Sequence, residues 1–302
     1  MLFIEDNTYK QITETKDKYK KQQYWKIAVG LNQVDDLKPS ETLKKLAYEN
    51  INNIKTYIEV EDELYKHYNK LEKINKSEYE CDIVSLKIVK LLDDTSFTLT
   101  VNTLKNIHKE LFENVINEKF CGEFRKYNIQ KFEDILNGDS AIYGNFQTIE
   151  KDLFDIFDLL NKRKFDINNI KDIMDLSINC ITDIWNIHPF VEGNTRTATI
   201  FTLKLLKYLG VENISNDLFK ENSKYFRDCL VLSNYSELNR YGEFVKPDNR
   251  PLHRFFEKLL IDENLKLLEI EPVHNNKYYD KIENPSKLMA YEELNEDLDL
   301  DW

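Results

Sequence analysis

Residues 188–197 read HPFVEGNTRT. In a chain with only seven glycines, Gly193 stands between an acid, Glu192, and an amide, Asn194. Upstream, IKDIMDLSINCITDIWNI (170–187) sets Ile173, Met174, Ile181, Ile184 and Trp185 on one stripe at helical spacing. Pro189 cannot continue that helix, and it biases His188 towards extended geometry. Downstream, TATIFTLKLLKYLG (197–210) is apolar nearly all round and closes on Gly210, the pattern of a central buried helix. The stretch is therefore a loop that joins two helices and runs into the N-terminus of the second.

The same periodicity recurs along the chain. SETLKKLAYENINNIKTYIEVEDELYKHYNKLEKI (40–74) places Leu43, Leu46, Ala47, Ile51 and Ile54 at helical spacing behind Ser40 as N-cap. TLTVNTLKNIHKELFENVI (98–116) places Leu104, Ile107, His108, Leu111 and Phe112 on one face. TIEKDLFDIFDLLNKRK (148–164), SKYFRDCLVLSNYSEL (223–238) and RPLHRFFEKLLIDENLKLLEI (250–270) read as further helices. Between them, CGEFRKYNIQKFEDILNGDSAIYGNF (121–146) carries Asn137-Gly138 between two short apolar runs, a β-hairpin signal. The segment YYDKIENPSKLMAYEELNEDLDLDW (278–302) is acidic and weakly patterned and reads as a tail.

Composition narrows the function classes. The chain has 302 residues, a formal net charge of −12 and 41% hydrophobic residues without a long apolar run. This describes a mostly helical protein with no membrane span, whose long-range field repels nucleic acid. Four cysteines, Cys81, Cys121, Cys180 and Cys229, are widely spaced and read as reduced thiols. MLFIEDNTYK carries acids where a signal peptide needs bases. A cytoplasmic location is the expectation, with export by a specialised secretion machine left open.

The loop's chemistry follows from its residue types. A helix N-terminus presents unpaired N–H groups and positive dipole charge, and glycine lets the backbone approach an anion closely, so Gly193, Asn194 and Thr195 form a phosphate cradle. Glu192 offers an oxygen ligand suited to Mg²⁺. Arg196, in the first turn, has a planar fork that fits a phosphate. His188 titrates near neutrality and can take a proton from an attacking hydroxyl.

His188-x-Phe190-x-Glu192-Gly193-Asn194-x-Arg196 resembles the signature of Fic-domain proteins, which transfer nucleotide parts, usually AMP from ATP, onto protein hydroxyls. IHKELFENVI, CGEFRKYNI, EDILNGDSAIYG, YFRDCLVLSNY and LHRFFEKLL resemble segments flanking the loop in that family, so the resemblance covers roughly residues 95–262. It implies an all-α fold: a Fic-type helical core with a small β-hairpin flap, preceded by a helical N-terminal extension (1–94) and followed by a helix end and acidic tail (263–302). It further implies that His188 deprotonates a Ser, Thr or Tyr of a target protein and that Glu192 holds Mg²⁺ against the phosphates of ATP. Asn194 and the N–H groups around Gly193 stabilise the transferred phosphate, and Arg196 grips the next one. Phe190 anchors the loop. Asn234 and Tyr235 line the base pocket, with Thr195 also at the nucleotide. Ile135, Leu136, Ala141 and Ile142 form the flap on which a target strand docks by strand addition.

Two positions depart from the family pattern: Thr195 stands where Gly or Lys is usual, and Thr199 stands where a second arginine is usual. In inhibited members that arginine pairs with a glutamate from a regulatory helix. Neither Glu59, which follows Lys55 and precedes Val60, nor Glu237, which follows Ser233 and precedes Leu238, has the expected flanks. The expectation is that this brake is absent or works differently; a separate inhibitor chain is left open. The departures also leave open another donor nucleotide, transfer of a phosphoryl group, or a non-catalytic scaffold.

Overall fold

The computed structural model describes residues 14–211, 214, 217–236 and 245–273. The tail from residue 278 and Glu237 lie outside these residues. The described chain is all-α with one small hairpin. Helices α1 (Lys18–Asn32), α2 (Glu41–Ile51), α3 (Tyr57–Tyr68), α4 (Lys76–Asp93) and α5 (Val101–Phe112) come first. Strands β1 (Gln130–Phe132) and β2 (Ser140–Ile142) pair antiparallel, with Phe132 opposite Ser140 and Gln130 opposite Ile142. Helices α6 (Ile149–Lys162), α7 (Ile170–Ile187), α8 (Asn194–Tyr208), α9 (Asp217–Glu221), α10 (Ser223–Asn234) and α11 (Arg250–Leu260) follow. Among the described residues no helix is long and apolar enough to cross a membrane.

Local chemistry explains where the helices start. Asp17, Ser40, Asn75, Thr100 and Asn169 each accept from a first-turn N–H with the side chain. Thr56 and Glu59 form a reciprocal capping box at α3. The apolar faces read from the sequence are buried on α5 and α7. On α2 the stripe holds at Leu43 and Leu46, but Ile54 lies beyond the helix end and is 64% exposed. Helix α11 stops at Leu260, so the expected continuation to residue 270 is not helical.

Helix α8 is the centre of the molecule. Its residues from Asn194 through Leu206 are buried, and α4, α5 and α7 pack around it. A single cluster of buried side chains runs from Tyr24 to Leu259 and includes the N-terminal helices. Lys204, 4% exposed, donates from α8 to the carbonyls of Leu91 (2.8 Å) and Asp94 (2.7 Å), closing the C-terminus of α4 with a cation.

The hairpin differs from the reading of the sequence. Asn137 (φ 46°) and Gly138 (φ 89°) both take the left-handed conformation that an Asn-Gly turn needs. They close a longer connection, however, in which Asp134–Leu136 form a 3₁₀ turn. Ile135 and Leu136, expected on a strand, point into the core at 6% and 0% exposure.

The N-terminal helices are tied together at Asp82 of α4. Its carboxylate, with no exposure, accepts from Ser40 N–H, the Ser40 hydroxyl and the Tyr68 hydroxyl. Asp82→Ala strands three buried donors and lowers stability by about 2–4 kcal/mol in urea denaturation. A loss under about 0.5 kcal/mol would remove Asp82 from this role.

Candidate active site

Helix α7 ends at Ile187, and the chain reverses at His188, which adopts a left-handed conformation (φ 50°) instead of the extended one that Pro189 favours. The strain is held by Arg125. This guanidinium, 2% exposed, donates to the carbonyls of His188 (2.8 Å), Ile187 (3.0 Å), Tyr127 (2.6 Å) and Gly144. Its own N–H donates to the Pro189 carbonyl at 2.9 Å. A buried cation thus sits on the negative end of α7 and joins it to the hairpin's flanks.

The His188 ring stacks on Tyr143, with centroids 3.7 Å apart and planes 22° apart, and meets Trp185 edge-on. Its Nδ1 lies 3.1 Å from the Trp185 carbonyl. A carbonyl only accepts, so Nδ1 carries the proton and Nε2 is left as the acceptor. Desolvation pushes the imidazole down to about 3, against the bond to Trp185, with the charges of Lys131, Arg125 and Arg227 adding to the depression. Near neutrality His188 is uncharged, the form a general base requires. The Tyr143 hydroxyl, in a residue only 6% exposed, has no hydrogen-bond partner among the described residues.

Phe190 is fully buried and stacks on His108 at 3.8 Å and 13°. His108 accepts from Gly122 N–H at Nδ1 (2.9 Å) and donates from Nε2 to the Glu192 carbonyl (3.2 Å). Desolvation holds it down to about 4. His108 is therefore a neutral prop under the loop.

Asn194 closes the loop. Its Oδ1 accepts from Phe190 N–H and its Nδ2 donates to the Phe190 carbonyl, both at 2.8 Å. The amide expected at a phosphate thus also fixes the loop's shape. The Thr195 hydroxyl accepts from Trp185 Nε1 (3.2 Å). Among the described residues no side chain caps α8, whose N-cap is Gly193 at φ 70°. A Cβ on Gly193 would lie 2.2 Å from the Phe112 ring, so glycine is needed both for the left-handed backbone and for the ring beneath it. The first N–H groups of α8 form an uncapped, positive helix terminus.

Arg196, 4% exposed, lies over the Phe112 ring with its Cζ 4.9 Å from the centroid. Its guanidinium donates to Asn32 Oδ1 (3.0 Å) and Glu80 Oε1 (2.7 Å). Nε lies 3.0 Å from Asp35 Oδ2, an ion pair without hydrogen-bond geometry. Desolvation and the nearby Glu80 carboxylate raise Glu192, and Asp35 adds to the rise. The Thr199 hydroxyl donates to the Thr195 carbonyl (2.7 Å), so that position brings no cation.

The remaining expected residues sit further out. Tyr235 donates to Asp139 Oδ2 at 2.8 Å, tying α10 to the hairpin connection. Asn234 donates to the Leu230 carbonyl (2.8 Å) within its own helix. On the hairpin Ala141 is buried while Ile142 (57%) and Phe132 (48%) are exposed. Glu59, considered as a brake, is engaged in the α3 capping box; the acids that reach Arg196 are Asp35 and Glu80. Arg125, His108, Tyr143, Asp35 and Glu80 lie far from the loop in sequence, and no local pattern marks them.

Residues 98–206 match the model of the Fic/DOC family. Over that span the chain is similar to the family, which supports a general Fic-type enzyme. The crystal structure of a Fic family protein from Desulfovibrio desulfuricans G20 is similar at a TM-score of 0.43 and 12% identity, covering 75% of this chain and 69% of that one. Among curated proteins no sequence matches the chain.

The two depressed histidines have a measurable consequence. Each is ordinarily half-protonated near pH 6.5 when unfolded. The folded state binds fewer protons, so their contribution is present above pH 6.5 and is lost as pH falls towards 4. For His108 the contribution is on the order of 3 kcal/mol. The melting temperature of the wild type falls more steeply than that of His108→Gln between pH 7 and 4. Parallel slopes would show that His108 is not held neutral.

Proposed function

We propose that this chain is a protein adenylyltransferase that moves AMP from ATP to a Ser, Thr or Tyr hydroxyl of a target protein. The observation that carries the reading is one short loop with a neutral imidazole at one end and a cation-backed helix terminus at the other. Nε2 of His188 is an acceptor, and Arg196, ion-paired through Nε with Asp35, lies in the first turn of the uncapped α8. A hydroxyl at Nε2 loses its proton to the imidazole, and its oxygen attacks the α-phosphorus. The bond from that phosphorus to the bridging oxygen breaks, and pyrophosphate leaves. The N–H groups at the start of α8 and Arg196 meet the phosphate charge in fixed positions, so the loop acts by positioning and charge stabilisation.

Glu192 is the residue that would hold Mg²⁺. Its carboxyl is raised by desolvation and by Glu80 and Asp35, against the charges of Arg196 and Lys131. Among the described residues no group of three or more His, Cys, Asp or Glu side chains is placed to hold a metal, and Mg²⁺ characteristically shares one or two carboxylates with phosphate oxygens. When bound, the ion neutralises phosphate charge. The flap reading rests on the hairpin, where Phe132 and Ile142 are exposed and share a face. A target strand alongside it would be held by backbone hydrogen bonds.

The test is incubation with Mg²⁺ and α-labelled ATP, with and without cell lysate, beside His188→Ala. Label on a protein band that vanishes in the variant is expected. Label from γ-labelled ATP or another nucleotide, with none from α-labelled ATP, would replace adenylyl transfer by a different donor chemistry. No transfer from any donor would overturn the enzymatic reading.

A further inference from the structure

Arg227 lies on α10, which packs against α7 and the turn Gln33–Asp35. Its guanidinium is bidentate on Glu133, with Nη2 2.9 Å from Oε1 and Nε 3.1 Å from Oε2. The third nitrogen, Nη1, lies 3.5 Å from Asp35 Oδ1. The other oxygen of the same carboxylate, Oδ2, is the one 3.0 Å from Arg196 Nε. Two guanidinium groups from different helices therefore converge on the two oxygens of one acid. The Arg227 side chain is 18% exposed, and its charge acts on His188 and Tyr143.

Asp35 is the least anchored member of this group. It ends a 3₁₀ turn (Gln33–Asp35), its side chain is 30% exposed, and the next residue, Asp36, is left-handed at φ 57°. The arginines keep other partners if it leaves: Arg196 retains Asn32 and Glu80, and Arg227 retains Glu133. What Asp35 vacates is a point between two prepositioned, partly desolvated cations. That point fits a tetrahedral oxyanion, which offers two oxygens at carboxylate-like spacing and two-point charge-assisted contacts.

We propose that Arg227 and Arg196 together form a two-point grip for a phosphate of the nucleotide beyond the one transferred, and that Asp35 holds this place until the nucleotide arrives. The inference rests on the nucleotide reading above. Arg227 then sets a preference for polyphosphates over a nucleoside monophosphate.

The experiment measures binding of Mg·ATP and of AMP by calorimetry in a His188→Ala background, which prevents turnover. Removing Arg227 alone strands Glu133, which is 5% exposed, so the variant is the pair Glu133→Gln with Arg227→Gln. It is expected to lose about tenfold or more in ATP affinity with AMP affinity unchanged, and Asp35→Asn is expected to tighten ATP severalfold. Arg227→Lys keeps the charge and gives up the fork; it loses ATP affinity by a smaller factor and carries the test if the paired variant fails to fold. Equal weakening of ATP and AMP, or no change in either, overturns the grip while leaving the nucleotide reading intact. Failure of the His188→Ala protein to bind any nucleotide overturns both.

Discussion

The arrangement depends on one buried cation, the guanidinium of Arg125. A charge that is 2% exposed is costly unless every donor is met, and here the partners are carbonyls at the end of α7 and beside the hairpin. Two of those acceptors, the Ile187 and His188 carbonyls, lie at the negative pole of a long helix, so the cation and the helix end stabilise each other. The result is that His188 is fixed in a left-handed conformation at the junction of α7, the loop and the hairpin. A histidine on an ordinary loop would sample several orientations. This one is pinned through its backbone by Arg125 and through its ring by Tyr143 and Trp185.

From that fixed point the loop is built by mutual support. Phe190 packs on His108, His108 holds the Glu192 carbonyl, and Asn194 ties back to Phe190. Gly193 rests on Phe112, and the same ring lies under Arg196. The helix terminus and its cation thus share one support. The N-terminal helices enter here directly: α1 and α4 contribute Asn32 and Glu80, and the turn after α1 contributes Asp35. They pack into the same core as α8 and also set the charge around it.

Much of this was legible in the sequence, and the reasons are local. The α7 stripe, the proline after it, the glycine before α8 and the all-round apolar character of α8 are signals within one helix-loop-helix. They placed His188, Glu192, Gly193 and Arg196 around one loop. What the sequence did not reveal depends on distant partners. Asn194 and Thr195 bear the right groups for a phosphate, and Phe190 and Trp185 also engage their side chains. Ile135 and Leu136 follow a strand-like apolar run, but the connection coils into a 3₁₀ turn and buries them. Arg227, Arg125 and Asp35 lie in unremarkable segments, and only the fold brings their charges together. Charge pairing across a hundred residues or more leaves no periodic trace.

The central claim is that the start of α8, with Arg196, is an anion site that a resident acid now faces. The most direct measurement is a crystal structure with Mg²⁺ and a non-hydrolysable ATP analogue. The account predicts phosphates against the backbone of Gly193 to Arg196, a phosphate oxygen on Arg196 Nε, and the Asp35 carboxylate withdrawn. A bound analogue with its phosphates elsewhere, and Arg196 still held by both Asp35 and Glu80, would contradict it.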